Sequence, residues 1–203
     1  MSGEHYFSQQ PESEARQRQL SFDLDGTPVS VTTTSGTFSP EGLDRGTAVL
    51  LGQVPAPEGT TLVDLGCGWG PLALTMAHAQ PQSTVWATDV NARARSTCEA
   101  NAQSLGLDNI RVISPEDYPD ETPIDVLWSN PPIRIGKAAL HELLTTWLDR
   151  LAPDGQAWLV VAKHLGAESL MKWLSTVEDC TFHAERVHRD KGFWVIRVTR
   201  AQS

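Results

Sequence analysis

The segment Asp64-Leu65-Gly66-Cys67-Gly68-Trp69-Gly70 leaves few folds open to this chain. It follows the apolar run Thr61-Leu62-Val63 and runs into Pro71-Leu72-Ala73-Leu74, where a helical pattern begins. A strand that passes into a helix through alternate glycines belongs to an α/β sheet, at the C-terminal edge of a parallel strand. Without Cβ the backbone can turn tightly there and approach a ligand closely. Three glycines alone specify little. A second segment narrows the choice: Asn130-Pro131-Pro132-Ile133 follows the apolar run Ile124 to Ser129, so it too closes a strand. Proline fixes φ, has no N–H and pushes the residue before it into an extended shape. Asn130 and the Pro131 carbonyl are therefore held rigidly at a sheet edge.

The pattern between and around these segments completes the architecture. Strands are expected at Thr61–Leu65, Thr84–Ala87, Ile110–Ile113, Ile124–Ser129 and Gln156–Val161. Helices are expected at Pro71–Ala79, Ala92–Leu105, Gly136–Leu151 and Gly166–Val177. Leu140, Leu143, Leu144, Trp147, Leu148 and Leu151 recur at helical spacing and form a core-facing stripe. Alternation of strand and helix predicts a doubly wound, mostly parallel sheet covered on both faces. Thr181–Val187 and Phe193–Val198 are joined only by Asp190-Lys191-Gly192, too short for a crossover helix, so a C-terminal antiparallel hairpin closes a seven-stranded sheet. At the other end, Gln19–Leu24 and Pro28–Thr33 flank Asp25-Gly26, the signal for an N-terminal β-hairpin. Ser39-Pro40 reads as the start of a short helix that ends near Leu51. This strand count and order is that of the Rossmann-like class I methyltransferase fold.

Composition bounds the reading. A chain of 203 residues, 40% hydrophobic, fits a single domain with a substantial core. Residues 1–18 are expected to be a mobile lead-in, 19–52 the hairpin and helix, and 61–203 the catalytic core. No run approaches a membrane span, and the N-terminus lacks the basic and apolar regions of a secretory signal. Cys67, Cys98 and Cys180 are far apart and show no CxxC spacing, which argues against disulfides and against a metal, and for the reducing cytoplasm. The net charge of −9 is uneven: residues 1–130 carry 6 Lys and Arg against 17 Asp and Glu, residues 131–203 carry 10 against 8. All four lysines lie in the second part. Bulk charge neither establishes nor excludes a nucleic-acid partner.

The chemistry is expected at the C-terminal edge of the sheet. Gly66, Gly68 and Gly70, with Cys67 between them, would cradle a nucleoside cofactor, and Asp89, beside Val90 after the second strand of the alternating series, would accept both ribose hydroxyls. A cap for the next helix is the competing role for Asp89. Asp64 either orients the loop or faces an ammonium group. Ser114, Glu116 and Asp117 end the strand after that, where such folds meet adenine; which of them takes its amino group stays open. A dinucleotide oxidoreductase shares the loop and the acid but has no use for Asn130-Pro131-Pro132. There the Asn130 side-chain oxygen and the Pro131 carbonyl can each accept from one N–H of a planar amine. The nitrogen lone pair then turns towards the methyl of S-adenosyl-L-methionine. The donor is already activated, so no metal or strong base is required, and positioning carries most of the catalysis. Arg134, Lys137 and His141 on one helix side, with Lys163 and His164 after the fifth strand of the series, would meet RNA phosphates around the pocket. Trp69 is expected to plug the loop, and Trp147 and Trp173 to belong to core stripes.

From His5-Tyr6-Phe7 to about Arg200 the chain resembles the small-domain methyltransferases typified by the guanine-N2 ribosomal-RNA enzymes. The resemblance includes Ser35-Gly36-Thr37-Phe38-Ser39, Leu43-Asp44-Arg45-Gly46-Thr47 and the glycine loop. It is carried most specifically by Asn130 to Lys137 and by Lys163-His164-Leu165-Gly166-Ala167-Glu168-Ser169-Leu170. It implies N-methylation of guanine in ribosomal RNA, with free RNA or a ribosomal subunit as partner, and a segment from Phe38 to Thr47 that helps to close the cofactor pocket. The chain departs from the tandem-domain bacterial enzymes in having one domain. It also carries Ile133 where many relatives place an aromatic residue after the prolines. Protein glutamine methylation uses the same turn, but those relatives carry Tyr there. A non-catalytic cofactor-binding module is a further alternative, against which Asp89 and Asn130 both speak.

Overall fold

The computed structural model describes residues 16–176 and 182–200. The expected lead-in thus falls almost wholly outside the described residues, as do Val177 and Thr181 at predicted element ends and Cys180 between them. The described residues open with a two-stranded antiparallel sheet, β1 (Gln17–Leu24) and β2 (Thr27–Thr34). Its two-residue turn, Asp25-Gly26, has φ of 51° and 79°, the primed geometry that matches strand twist. Phe22, Leu24 and Val31 turn into the core. The rest of the main fold follows as α1 (Arg45–Leu51), β3 (Thr61–Leu65), α2 (Pro71–Ala79), β4 (Thr84–Thr88), α3 (Ala92–Ser104) and β5 (Ile110–Ile113). It continues with β6 (Ile124–Ser129), α4 (Lys137–Leu148), β7 (Leu151–Ala162), α5 (Ala167–Leu174), β8 (Phe182–Asp190) and β9 (Phe193–Arg200).

The main sheet has seven strands in the order β5-β4-β3-β6-β7-β9-β8. The first five are parallel, and β9 joins β7 and β8 antiparallel, as the short Lys191-Gly192 turn requires. Alternate residues of each central strand feed two cores. Leu62, Val126 and Trp128 pack with α1, α2, α3 and the N-terminal hairpin. Val63, Leu127 and Ile124 pack with α4 and α5 on the opposite face. Strand order reverses between β3 and β6, so the chain leaves the sheet in opposite directions there. The crevice beyond their C-terminal ends is where such sheets place ligands.

Asn101 of α3 fastens the hairpin to this frame. Its side-chain oxygen accepts from Thr32 N–H at 2.7 Å, and its amide donates to Thr32 O and to Trp69 O, both at 2.9 Å. One buried side chain thus holds β2 as a neighbouring strand would and ties it to the glycine loop.

Several element boundaries differ from the sequence reading. Ser39-Pro40 does not start α1. Ser39 has φ 49° within a turn, its hydroxyl donates to Gly42 O at 2.8 Å, and the helix starts at Arg45. Asp44 is its cap, accepting from Gly46 and Thr47 N–H, a role acidic side chains fill as well as serine. Leu151 lies on the α4 stripe by spacing but opens β7, pairing with Ile124. It is buried in the same core as Leu148, so periodicity cannot separate the two assignments. β7 therefore begins before Gln156, and an irregularity between Ile124 and Val126 absorbs the intervening residues. β8 runs on to Asp190, with a bulge between Arg186 and His188. No helix among the described residues is long and apolar enough to cross a membrane.

Candidate active site

The glycine loop is pinned from both flanks. Gly66 and Cys67 N–H donate to Thr88 O at 2.8 and 2.9 Å, and Ser129 Oγ donates to Leu65 O at 2.7 Å. The ends of β4, β3 and β6 are thereby locked side by side. Gly70 hands the chain to α2 at φ 98°, and a Cβ on it would lie 2.6 Å from Cys98 Sγ, so glycine is required on both counts. Trp69 is buried edge-on against Phe22, at 5.2 Å between ring centroids, and plugs the loop as expected.

Asp64 lies under this loop, fully buried. Its Oδ2 accepts from Ala73 N–H in the first turn of α2 at 2.9 Å, where a carboxylate also meets the positive end of the helix. Its Oδ1 is buried and has no hydrogen-bond partner among the described residues. Desolvation by burial raises its pKa to about 8, opposed by the Ala73 bond and reinforced by the nearby Asp89. A buried acceptor that lacks a donor fits a cationic or N–H-bearing ligand group.

Asp89 stands at the end of β4. Its Oδ2 accepts from Gly68 N–H at 3.0 Å and its Oδ1 from Asn91 N–H at 2.8 Å. Burial is the main cause that raises its pKa. The cap of α3 is Asn91, whose side-chain oxygen accepts from Arg93 and Ala94 N–H. The competing role for Asp89 thus falls to its neighbour. Each Asp89 oxygen retains capacity for a further donor.

Beyond β6, Pro132 has φ −75° and ψ 71°, and Ile133 N–H donates to Pro131 O at 2.8 Å. This is an inverse γ-turn, the tightest return available at a strand end. It leaves one lone pair on the Pro131 carbonyl. Asn130 projects beside α1: its Nδ2 donates to Asp44 Oδ1 at 2.8 Å and to Thr47 Oγ1 at 3.1 Å.

Several of these groups meet around an open cleft. Of the residues singled out in the sequence, Phe38, Thr47, Asp64, Gly66, Cys67, Gly68 and Asn130 line it. Ser39, Asp44, Trp69, Pro71 and Leu72 complete the wall. Asp44 is the residue that sequence reasoning missed. It stands in a segment quoted for its resemblance, and its bond to Asn130 spans a sequence separation that no local pattern reveals. Phe38 is 42% exposed at the rim. Gly70, Asp89, Pro131 and Pro132 are not among the lining residues; Gly70 opens α2, and Asp89 accepts from Gly68 N–H of the loop. Val90, Ser114 and Glu116 sit further along the edge, at the ends of β4 and β5, outside this wall. Ser114 is buried, while the exposed Glu116 has its pKa lowered by a hydrogen bond from Ser114. Ile133 is half-buried and packs with Ile135 against the α4–α5 core rather than lining the cleft.

The basic residues lie at the ends of β6 and β7. Arg134 and Lys137 are exposed in the short helical turn after Ile133 and at the start of α4. Lys163 and His164 are exposed in the turn after β7, with Lys163 3.6 Å from Glu168. His141 is partly exposed and stacks on Trp173 at 3.8 Å, and partial burial followed by Lys137 lowers its pKa. Among the described residues no cluster of three His, Cys, Asp or Glu could hold a metal ion.

Comparison with known proteins places this geometry. The profile of the methyltransferase small domain family matches residues 28–197. Protein YbxB of Bacillus subtilis, itself described as uncharacterized, is 30% identical over 97% of this chain and 98% of its own length. The ribosomal RNA small subunit methyltransferase C of Pseudomonas aeruginosa is 33% identical over 95% of this chain but 57% of its own length. The chain therefore spans about half the length of that relative. The 16S rRNA N2 G1207 methyltransferase of T. thermophilus, solved with AdoMet and guanosine, superposes over 91% of this chain and 51% of its own, with a TM-score of 0.73 at 20% identity. The fold is that of class I methyltransferases.

Proposed function

The chain belongs to the methyltransferase small domain family, and from that premise we propose that it methylates the exocyclic N2 of guanine in ribosomal RNA, with S-adenosyl-L-methionine as donor. The observation that carries this is the presence, in one cleft, of a buried carboxylate oxygen without a partner and an asparagine held by its amide nitrogen. Asp64 Oδ1 would accept from the ammonium of the methionine moiety. Asp89 would take the ribose hydroxyls, beside Val90, and the loop glycines would lie against the nucleoside. Ser114 and Glu116 stand where the adenine edge would reach, and Phe38 and Thr47 would close the pocket from the N-terminal side.

When bound, the cofactor supplies a methyl group already activated on a sulfonium. The protein's task is then to hold the acceptor. Asn130 Oδ1 and the free lone pair of Pro131 O would each accept from one amine hydrogen, aligning the nitrogen lone pair with the methyl carbon. Such alignment of a poor nucleophile supplies most of the acceleration. The rigid γ-turn at Pro132 keeps the two acceptors in register, and Ile133 would flank the base. The proton lost from nitrogen passes to solvent after the bond forms. Arg134, Lys137, Lys163 and His164 would contact phosphates around the cleft. A single catalytic domain, with residues 61–203 as its core, and a cytoplasmic site of action belong to the same proposal. The proposal is tested by mass spectrometry of ribosomal RNA from cells with and without the protein. Loss of an N2-methylguanosine is the expected result; label from radioactive donor appearing in protein instead of RNA overturns it.

A further inference from the structure

Asn130 presents two chemically opposite ends, and a half-turn about its last side-chain bond exchanges them. An amide nitrogen facing the acceptor amine would set donor against donor, and the lone pair would not be aligned. The structure fixes which end faces the cleft. Both Nδ2 hydrogens are used, one by Asp44 Oδ1 at 2.8 Å and one by Thr47 Oγ1 at 3.1 Å. A carboxylate oxygen can only accept, so the group facing it must be the nitrogen. No hydrogen bond to Asn130 Oδ1 is formed among the described residues, and that oxygen is left for a ligand.

We propose that Asp44, with Thr47, is a positioning residue for methyl transfer: it locks the Asn130 carboxamide so that its oxygen meets the acceptor amine. The inference rests on the reading of Asn130 as the group that orients that amine. Asp44 is suited to the role because its own place is over-determined. It caps α1 through Gly46 and Thr47 N–H, at 2.8 and 3.2 Å, with the same oxygen that holds Asn130. Thr47 is buried in the first turn of that helix. Donation to a carboxylate also polarises the amide and makes its oxygen a stronger acceptor. The start of α1 is thereby a clamp on the turn after β6.

Asp44→Ser separates the clamp from the cap. Serine caps a helix as well as aspartate, but its hydroxyl is a bond shorter and does not reach Asn130. Its kcat should fall on the order of a hundredfold, with cofactor affinity by calorimetry nearly unchanged. Asp44→Asn keeps an acceptor oxygen at the same place and should restore most of the rate. In an Asn130→Ala background Asp44→Ser should have no further effect, because the two act through one group. Equal losses in both backgrounds, or a loss confined to the cofactor KM, overturn the proposal. Should Asp44→Ser fail to fold, Thr47→Val, of similar shape but without an oxygen, is read in the same cycle by kcat at saturating cofactor, since Thr47 also borders the cofactor pocket. The side-chain amide protons of Asn130, followed by NMR, provide an arm that needs no substrate. They should exchange with solvent faster in either variant, and unchanged exchange overturns the clamp. A wild-type protein that methylates no RNA defeats the acceptor assignment instead, and leaves the exchange result to decide the clamp.

Discussion

At the scale of single residues, the two side chains proposed to act in the site differ in what the surrounding protein demands of them. Asn130 has its hydrogen bonds and can be tested by removal. Asn130→Ala should leave cofactor binding intact while methyl transfer falls at least about a hundredfold, since the lost acceptor acts in the transition state. Near-normal turnover would remove Asn130 from the chemistry. Asp64 is under tension with its site. An unfolded carboxyl titrates near 3.8, while burial raises this one to about 8. Between those values the folded chain holds a proton that the unfolded chain has lost. Its contribution to stability is therefore fully present below about pH 4 and is lost as pH rises to about 8. Denaturation midpoints of the free protein should fall across this window, and Asp64→Asn should flatten the decline. A cationic ligand should reverse the balance by ionising the group. Calorimetry of S-adenosylhomocysteine binding at neutral pH should register proton release that depends on Asp64; buffer-independent enthalpies would contradict this. Asp64 and Asn130 were both legible in the sequence, because each sits at the end of an apolar strand. Asp44 was not, because its meaning lies in a partner distant along the chain.

At the scale of elements, the turn from β3 to α2 is the most constrained. Gly70→Ala combines a positive φ with a Cβ 2.6 Å from Cys98 Sγ. It should destabilise by roughly 1–3 kcal/mol. Cys98→Ala in the same chain removes the facing sulfur and should recover part of the loss, leaving only the backbone strain. Full additivity in urea unfolding would show that the two residues do not meet. The alternating core of elements was readable from hydrophobic period and turn chemistry, and both hairpins from their short connections. Where reading failed, a tertiary contact had outvoted a local signal. Ser39-Pro40 is a good helix start on paper, but Asp44 offers the cap that also reaches Asn130. Leu151 keeps helical phase but is pulled into β7 by Ile124.

At the scale of the whole molecule, charge governs the approach of a polyanion. A chain of net −9 would repel RNA over most of its surface, so the exposed Lys137 and Lys163, in the segments that follow β6 and β7, would carry unusual weight. The Lys163–Glu168 pair is exposed on both sides and too weak to withhold the lysine from a phosphate. Charge reversal at both lysines should weaken RNA binding across sequences and lower its salt slope by about one unit per lost contact. Cofactor affinity should be untouched. Wild-type RNA affinity in the double variant would place the docking surface elsewhere. Sequence offered the charge asymmetry but not its placement, since that depends on strand order, which no local pattern encodes.

The bulge in β8 bears on a different matter, the behaviour of the protein in concentrated solution. β8 is an outer strand of the sheet, and its far rim of N–H and C=O groups has no neighbouring strand among the described residues. Such a rim is a template on which another copy can zip, and the first step towards insoluble fibrils. The bulge between Arg186 and His188 breaks the repeat spacing of that template, and the exposed Arg186, Arg189 and His183 place polar and basic groups along it. The opposite rim, β5, is only four residues long, too short to recruit a partner. Deleting Val187 would straighten β8 and restore its spacing, and light scattering should then record aggregation of a chain that still folds.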